Sequence, residues 1–561
     1  MRRRFHGRLT LLIAMFALVV IVPGQTVQHQ LYTFSGDSVA DYFGSSVAGA
    51  GDVNQDGYDD LIVGARHDDD NGASSGSARV LSGLDGTVLY TFHGAAANEQ
   101  LGYSVDGAGD VNMDGFADVV VGGLSGFNGL SAGGAWVFSG VDGSVLYTFY
   151  GDSAGDLFGT SVAGAGDVNM DGYDDVVVGA HLDDDNGVNA GSVKVFSGID
   201  GSVLYTFDGD ATYDLFGVAV AGAGDVNQDG YADVVVGAHG DDDNGAESGS
   251  VRVLSGIDGS VLYTFYGDSA GDWFGRAVAG VGDVNQDGND DVLVGAMMDD
   301  DKGVDTGSAR VLSGADGSIL FTLYGDPLGS NFGQTVAGIG DVNEDGHDDF
   351  VVGRQSDNQK LFLAGRARVF SGFNGLILYT FYGDAIRDFL GVSVAGAGDV
   401  NQDGYPDLIV GAPGEGVTGS QLGFARVLSG KMLSLRSDIH ELPSWKAGTQ
   451  NLTIDAGKRH AGREYWMFGS VSGTNPGTQF ANITIPLNLD TWTLVELSFL
   501  NTPALTNFQG QLDANGRAAA RVNLPPGLPA SLGFTMYHAY VVHNANFVPF
   551  MASNAMPLRI R

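Results

Sequence analysis

Asp52-Val53-Asn54-Gln55-Asp56-Gly57-Tyr58-Asp59-Asp60 places oxygen-bearing side chains at the first, third, fifth and ninth positions of one short run, with a glycine at the sixth. Oxygens at alternate positions of a tight loop converge on a point, the glycine permits the sharp turn, and the residue after it can offer its backbone carbonyl. The run therefore predicts a cation-binding loop. The same string begins again at Asp110, Asp167, Asp225, Asp283, Asp341 and Asp399, in steps of 58, 57, 58, 58, 58 and 58 residues. So regular a period marks duplicated supersecondary units that stack on one another.

Each unit reads as four short strands. In the third, Phe158 to Ala165 is rich in small residues, as a crowded inner strand requires, and Val176-Val177-Val178 is a continuous apolar run suited to a strand covered on both faces. Ser192 to Phe196 alternates, and Val203 to Phe207 follows Asp200-Gly201, a dipeptide that favours hairpin turns. Four antiparallel strands of this kind make one propeller blade. The outer-strand phrase Leu-Tyr-Thr-Phe, or a near copy, starts at Leu31, Leu89, Leu146, Leu204, Leu262, Leu320 and Leu378; the first copy precedes the first acidic loop and none follows Arg426 to Gly430. Residues 31–34 are therefore expected to supply the outer strand of the seventh blade and leave no open edge. A parallel β-helix of nonapeptide repeats would need a period near nine residues, far shorter than the one observed.

The expected ligands of the first loop are Asp52, Asn54, Asp56 and Asp60, with the carbonyl of Tyr58. The second loop offers Asp110, Asn112, Asp114, Phe116 and Asp118, and the third Asp167, Asn169, Asp171, Tyr173 and Asp175. The fourth offers Asp225, Asn227, Asp229, Tyr231 and Asp233, and the fifth Asp283, Asn285, Asp287, Asn289 and Asp291. The sixth has Asp341, Asn343, Asp345, His347 and Asp349, and the seventh Asp399, Asn401, Asp403, Tyr405 and Asp407. Among these five ligand positions only the seventh varies in kind, as expected where the carbonyl alone is used. The donors are hard oxygens, which favours calcium, up to seven ions, over zinc or copper. An EF-hand would need Glu at the twelfth position, which here is Val63 inside an apolar strand. A merely polar turn could use the same residues once, but seven copies of crowded carboxylates oppose folding unless a cation neutralises them.

The chain has 561 residues, no cysteine, 89 glycines and a formal net charge of −41. Residues 431–561 carry ten basic and seven acidic residues, so the acidity is concentrated in the repeats. Such a surface repels nucleic acid and attracts cations. Arg2, Arg3, Arg4 and Arg8 precede an apolar run from Leu9 to Val22, too short to span a bilayer, and residues 1–24 are expected to be an export signal. No later segment is apolar enough to cross a membrane, so a secreted or cell-surface protein is expected.

With Phe-Gly opening the repeat at Phe43, Phe158, Phe216, Phe274 and Phe332, Leu in its place at Leu101 and Leu390, and a literal Gly-Ala-Pro at Gly411 to Pro413, residues 31–430 resemble the FG-GAP repeat family. That propeller is found in integrin α subunits and in many bacterial surface proteins. The resemblance implies calcium in the loop between the first two strands of a blade, and adhesion as the activity. Integrins carry such loops in only some blades, whereas all seven match here.

The rim opposite these loops is expected to carry Asp68-Asp69-Asp70, Asp183-Asp184-Asp185, Asp241-Asp242-Asp243 and Asp299-Asp300-Asp301, with Asp152, Asp156, Asp268 and Asp272 nearby, as a solvated acidic surface or a docking face for a basic partner. In 431–561 strands are expected at Gln450 to Ile454, Phe480 to Leu487, Thr493 to Leu500 and Ala539 to Val542. The fold class expected is all-β: a signal at 1–24, a seven-bladed β-propeller at 25–430 closed by its N-terminal strand, and a small β-sandwich domain at 431–561.

The function expected is a calcium-stabilised, non-enzymatic binding or adhesion protein with an unknown protein or glycan ligand at the cell surface. The alternatives are the propeller scaffold of an extracellular polysaccharide- or lipid-acting hydrolase or lyase, and a purely structural envelope protein. H-E-x-x-H is absent, and His181 and His239 occupy equivalent repeat positions, as copied surface residues would.

Overall fold

The computed structural model describes residues 30–430, apart from loop stretches at 126–130, 327–330, 344, 358–360 and 415–421, and beyond 430 a set of strands with parts of their connections. The expected export signal lies outside the described residues. The chain divides into two compact units, one formed by His29–Gly430 and the other containing Lys431–Arg561.

The first unit is seven four-stranded antiparallel sheets. In the third repeat the strands are Ser161–Gly166, Asp175–Ala180, Ser192–Phe196 and Val203–Asp208. The second strand is buried along its whole length, while the outermost shows alternating exposure. Burial at the centre of the disc and wetting at its edge follow from blades packing face to face.

The innermost strand of this repeat begins later than expected, at Ser161, and ahead of it stands Phe158. It is buried and forms a single parallel bridge to Gly133 of the preceding blade. Leu101 and Leu390 make the same bridge to Gly76 and Gly365, so the position needs a large apolar side chain and not an aromatic ring.

Ring closure is complete on both sides of the disc. At the centre, a Cβ added to Gly49 would lie 2.8 Å from the carbonyl oxygen of Gly396; Gly107 stands in the same relation to Gly49, and so on round to Gly396 against Gly338. Only glycine lets seven inner strands approach so closely. At the edge, Gln30–Ser35 pairs antiparallel with Phe424–Leu428, Tyr32 opposite Val427 and Phe34 opposite Ala425, so the N-terminal strand completes the last blade as expected. The Tyr32 hydroxyl then donates to the Gly83 carbonyl of the first blade at 2.9 Å. Tyr90, Tyr147, Tyr205, Tyr263 and Tyr379 each reach a glycine carbonyl of the next blade in the same way.

The second unit is also built of strands. One sheet contains Ser434–Ser437, Gly448–Asp455, Arg517–Leu524 and Leu505–Thr506; another is built around Glu464–Ser470 and Thr535–His543. The expected strands at Gln450 to Ile454 and Ala539 to Val542 fall within these. The expected single strand at Phe480 to Leu487 is instead divided between Thr478–Phe480 and Ile483–Ile485, which pair antiparallel with each other, and Thr493 to Leu500 lies outside the described residues. Among the described residues no helix is long and apolar enough to cross a membrane.

Candidate metal centres

The innermost strand of each blade runs into an acidic loop and the second strand leaves it, as in the first blade, where Phe43–Gly51 leads into the loop and Asp60–Ala65 follows. All seven loops therefore lie on one rim.

Within the first loop the backbone organises the side-chain oxygens. Asp52 accepts from the N–H of Asp56 at 3.0 Å and from that of Gly57 at 2.9 Å, one on each oxygen. Asn54 Oδ1 accepts from Asp56 N–H at 2.8 Å, and Asp56 Oδ1 from Tyr58 N–H at 3.0 Å. Gly57 sits at φ +88°, the left-handed conformation this turn requires. The second, third, fourth and fifth loops repeat these bonds, as Asp114 to Asp110 and Asp171 to Asp167 illustrate. In the sixth and seventh the asparagine turns its amide: Asn343 Nδ2 donates to Asp349 and Asn401 Nδ2 to Asp407.

The ninth-position aspartate stands apart. Asp60 is fully buried, with Oδ2 accepting from Val53 N–H at 3.0 Å and Oδ1 from Gly83 N–H at 2.9 Å. Burial pushes its carboxyl up to about 7, and the neighbouring Asp56 and Asp52 push in the same direction. Asp118, Asp175 and Asp291 are likewise raised to about 7 and Asp233 to about 6, all chiefly by burial. Asp349 and Asp407 reach about 8, again chiefly by burial.

These oxygens fit a hard divalent cation. Every donor is oxygen, and a carboxylate oxygen that accepts one N–H keeps a further lone pair for a metal. Among the described residues, the first, fifth and ninth carboxylates of no loop gather within 4.8 Å of one another. Among the described residues, the groups whose ligand atoms do lie within 4.8 Å of one another are on the opposite rim: the carboxylates of Asp152, Asp156 and Asp183, those of Asp268, Asp272 and Asp299, and those of Asp68 and Asp70 with a ring nitrogen of His93.

The loops are also fastened to one another by residues that the spacing argument passed over. Asp59 accepts from the N–H of Asp399 at 2.8 Å, Asp174 from that of Asp110 and Asp290 from that of Asp225, so the eighth position of one loop receives the first ligand of the preceding blade. Gln55 Nε2 donates to the Gly115 carbonyl at 2.5 Å and Gln286 Nε2 to that of Gly346 at 2.6 Å. No signal within one repeat marks these partners, because they lie one blade away.

The opposite rim corrects two expectations. The first aspartate of each triplet is not a surface residue: Asp68, Asp183, Asp241 and Asp299 are buried. Asp183 accepts from Asp185 N–H at 2.8 Å and from the Ser192 hydroxyl at 2.5 Å, so it ties the loop after the second strand to the third strand. The acidity is also partly neutralised, with Lys194 pairing Asp152 at 2.9 Å and Arg310 pairing Asp268 at 2.6 Å. Nor are His181 and His239 surface copies, since both are half-buried.

The FG-GAP repeat family model matches residues 43–81, 158–196, 216–254, 274–312 and 390–428. Integrin alpha-5 of Xenopus laevis is 32% identical over 238 residues, which is 38% of this chain and 22% of the integrin. Integrin alpha-8 of Mus musculus is 31% identical over 223 residues, covering 37% of this chain and 20% of the integrin. The chain thus spans about a fifth of the length of these relatives. The solved structure of the V. cholerae biofilm matrix protein Bap1 overlaps 72% of this chain and 91% of its own, at 12% identity and a TM-score of 0.38, a distance at which the overlap carries no functional weight. This chain therefore carries FG-GAP repeats, matched by the family model in five blades of a closed seven-bladed β-propeller.

Proposed function

We propose that this protein is an extracellular, calcium-stabilised adhesion propeller. The observation that carries the reading is the seven-fold recurrence, on one rim, of an oxygen-only loop that ends in a buried aspartate. Charging that aspartate beside two further carboxylates is unfavourable in a metal-free ring, and a divalent cation removes the cost. The first, third, fifth and ninth side chains with the seventh carbonyl would hold the ion, as in Asp52, Asn54, Asp56, Asp60 and Tyr58. Calcium would supply there a cross-link that offsets most of the carboxylate charge, and no chemistry.

Adhesion is supported by the likeness to integrin alpha chains. The partner is a protein or glycan outside the cell, and the propeller at 25–430 presents the binding surface without catalysing a reaction. A basic, apolar N-terminal stretch at 1–24 supports export, and 431–561 forms a separate β-rich module. The test is capture of cell-surface glycans and proteins on immobilised protein, with calcium and after chelation. Specific capture that chelation weakens supports the reading; turnover of a captured polysaccharide or lipid contradicts it.

A further inference from the structure

In a chain of near-identical repeats, the positions that break the repeat stand out. Two such positions meet at the rim opposite the acidic loops. The residue after the second strand is Arg66, Leu124, His181, His239, Met297, Gln355 or Pro413 in successive blades. The residue after Phe-Gly or Leu-Gly is Ser45, Tyr103, Thr160, Val218, Arg276, Gln334 or Val392. Both columns lie where the first strand starts and the second ends, as the pairing of Phe43 with Ala65 shows, so their side chains surround the mouth of the disc.

Side chains from five blades gather there. The Arg66 guanidinium lies over Tyr42 of its own blade and Tyr103 of the next, 5.4 and 5.3 Å from the ring centroids. His181 Nδ1 is 2.9 Å from the Thr160 hydroxyl, and the His239 ring is 5.1 Å from that of Trp273. Arg276, from the fifth blade, acts electrostatically on Tyr103, His181 and His239 of the second, third and fourth. Burial, with Arg276 adding to it, holds His181 down at about 4 and His239 at about 3, so both rings are neutral near pH 7 and the arginines carry the charge.

Those charges are unanswered. Third-strand arginines each hold an aspartate, as Arg252 holds Asp210 and Arg310 holds Asp268. Among the described residues no carboxylate lies within ion-pair distance of Arg66 or Arg276. Arg66 Nε and His239 Nδ1 are buried without a hydrogen-bond partner. Buried, unpartnered polar atoms are costly, and here they accompany two arginines that no carboxylate pairs, which makes the mouth a candidate for an anionic ligand. The chain's net charge of −41 disfavours multiply charged anions, whereas a planar monoanion matches the guanidinium fork.

From this geometry we infer that the mouth of the propeller opposite the acidic loops is a binding site for a carboxylate, held by Arg66 and Arg276 beside His239 and Trp273. The site uses no residue of the acidic loops, so it stands or falls separately from calcium binding.

The test is isothermal titration of the full chain in calcium with glucuronate, with N-acetylalanine and with neutral glucose. Glucuronate or N-acetylalanine should bind and glucose should not, the tighter of the two acids identifying a sugar or a peptide as the source. Arg276→Gln and Arg66→Gln should each weaken binding about tenfold, while Arg252→Gln at the edge should leave it unchanged. Melting curves check that each variant folds, and Arg276→Lys, which keeps the charge, should retain part of the affinity if the glutamine variant does not fold. Failure of both acids to bind, equal binding of glucose, or unchanged affinity in a folded Arg276→Gln protein overturns the assignment.

Discussion

Asp60 and Gly83 are joined across 23 positions of chain by a 2.9 Å hydrogen bond from the Gly83 N–H to a fully buried carboxylate oxygen. The other oxygen holds Val53 N–H, so the last side chain of the first acidic loop also anchors the turn after the third strand. Asp60→Ala removes both acceptors and strands two backbone donors, at a cost of roughly 2–4 kcal/mol. Chemical denaturation in the presence of a chelator isolates this structural part from any contribution of metal. Asp60→Asn, which keeps one acceptor oxygen, should cost less.

Gly49 has no room for a methyl group, since its Cβ would come within 2.8 Å of the Gly396 carbonyl oxygen across the junction of first and last blades. Gly49→Ala should destabilise the ring by about 1–3 kcal/mol. Gly155, whose Cβ would meet nothing within 4 Å, is not at the junction; although its φ of +102° brings some strain, Gly155→Ala should leave the centre of the disc intact. Comparing inter-blade amide protection in the two variants by hydrogen exchange checks the distinction.

Removing residues 25–36 should lower the melting temperature by on the order of 10 °C, because it strips the outer strand from the last blade and the Tyr32 bond to the first. A calorimetric scan that matches the full chain would show that closure rests on the inner strands alone.

Much of this was readable before any coordinates. The period, the four strands of a blade and the closing role of 31–34 follow from patterns within one repeat or from counting copies. What stayed hidden lies between repeats. The tyrosine of Leu-Tyr-Thr-Phe reads as an outer-strand residue, yet its hydroxyl reaches the next blade, and Phe321, its counterpart in the fifth blade, has no hydroxyl to make that bond. Asp59 and Asp174 read as polar turn residues, and only the ring brings them to Asp399 and Asp110. Asp68 and Asp183 read as surface charge because a run of three aspartates gives no sign that its first member turns inward.

Asp272 on the opposite rim gives a pH signature. Burial, then a hydrogen bond to Asp268 and the charge of Asp299, raise its carboxyl from 3.8 to about 7, with Arg310 pairing Asp268 alongside. A group raised in the folded state costs nothing while both states are protonated, and its penalty grows as pH rises from about 4 through 7. Asp272→Asn should therefore gain stability on the parent chain as pH goes from about 5 to 8, and paired melting curves across that range test the sign.

The central claim is that calcium holds the acidic rim together. At ~1 mM free calcium and a dissociation constant of ~0.1 mM, each occupied loop adds about 1.4 kcal/mol, and seven together add on the order of 10 kcal/mol. Calcium titration of chelator-treated protein, paired with a melting scan at each addition, measures this directly. The account predicts up to seven bound ions per chain and a melting temperature that climbs with occupancy. No bound calcium, with a melting temperature indifferent to chelation, would contradict it.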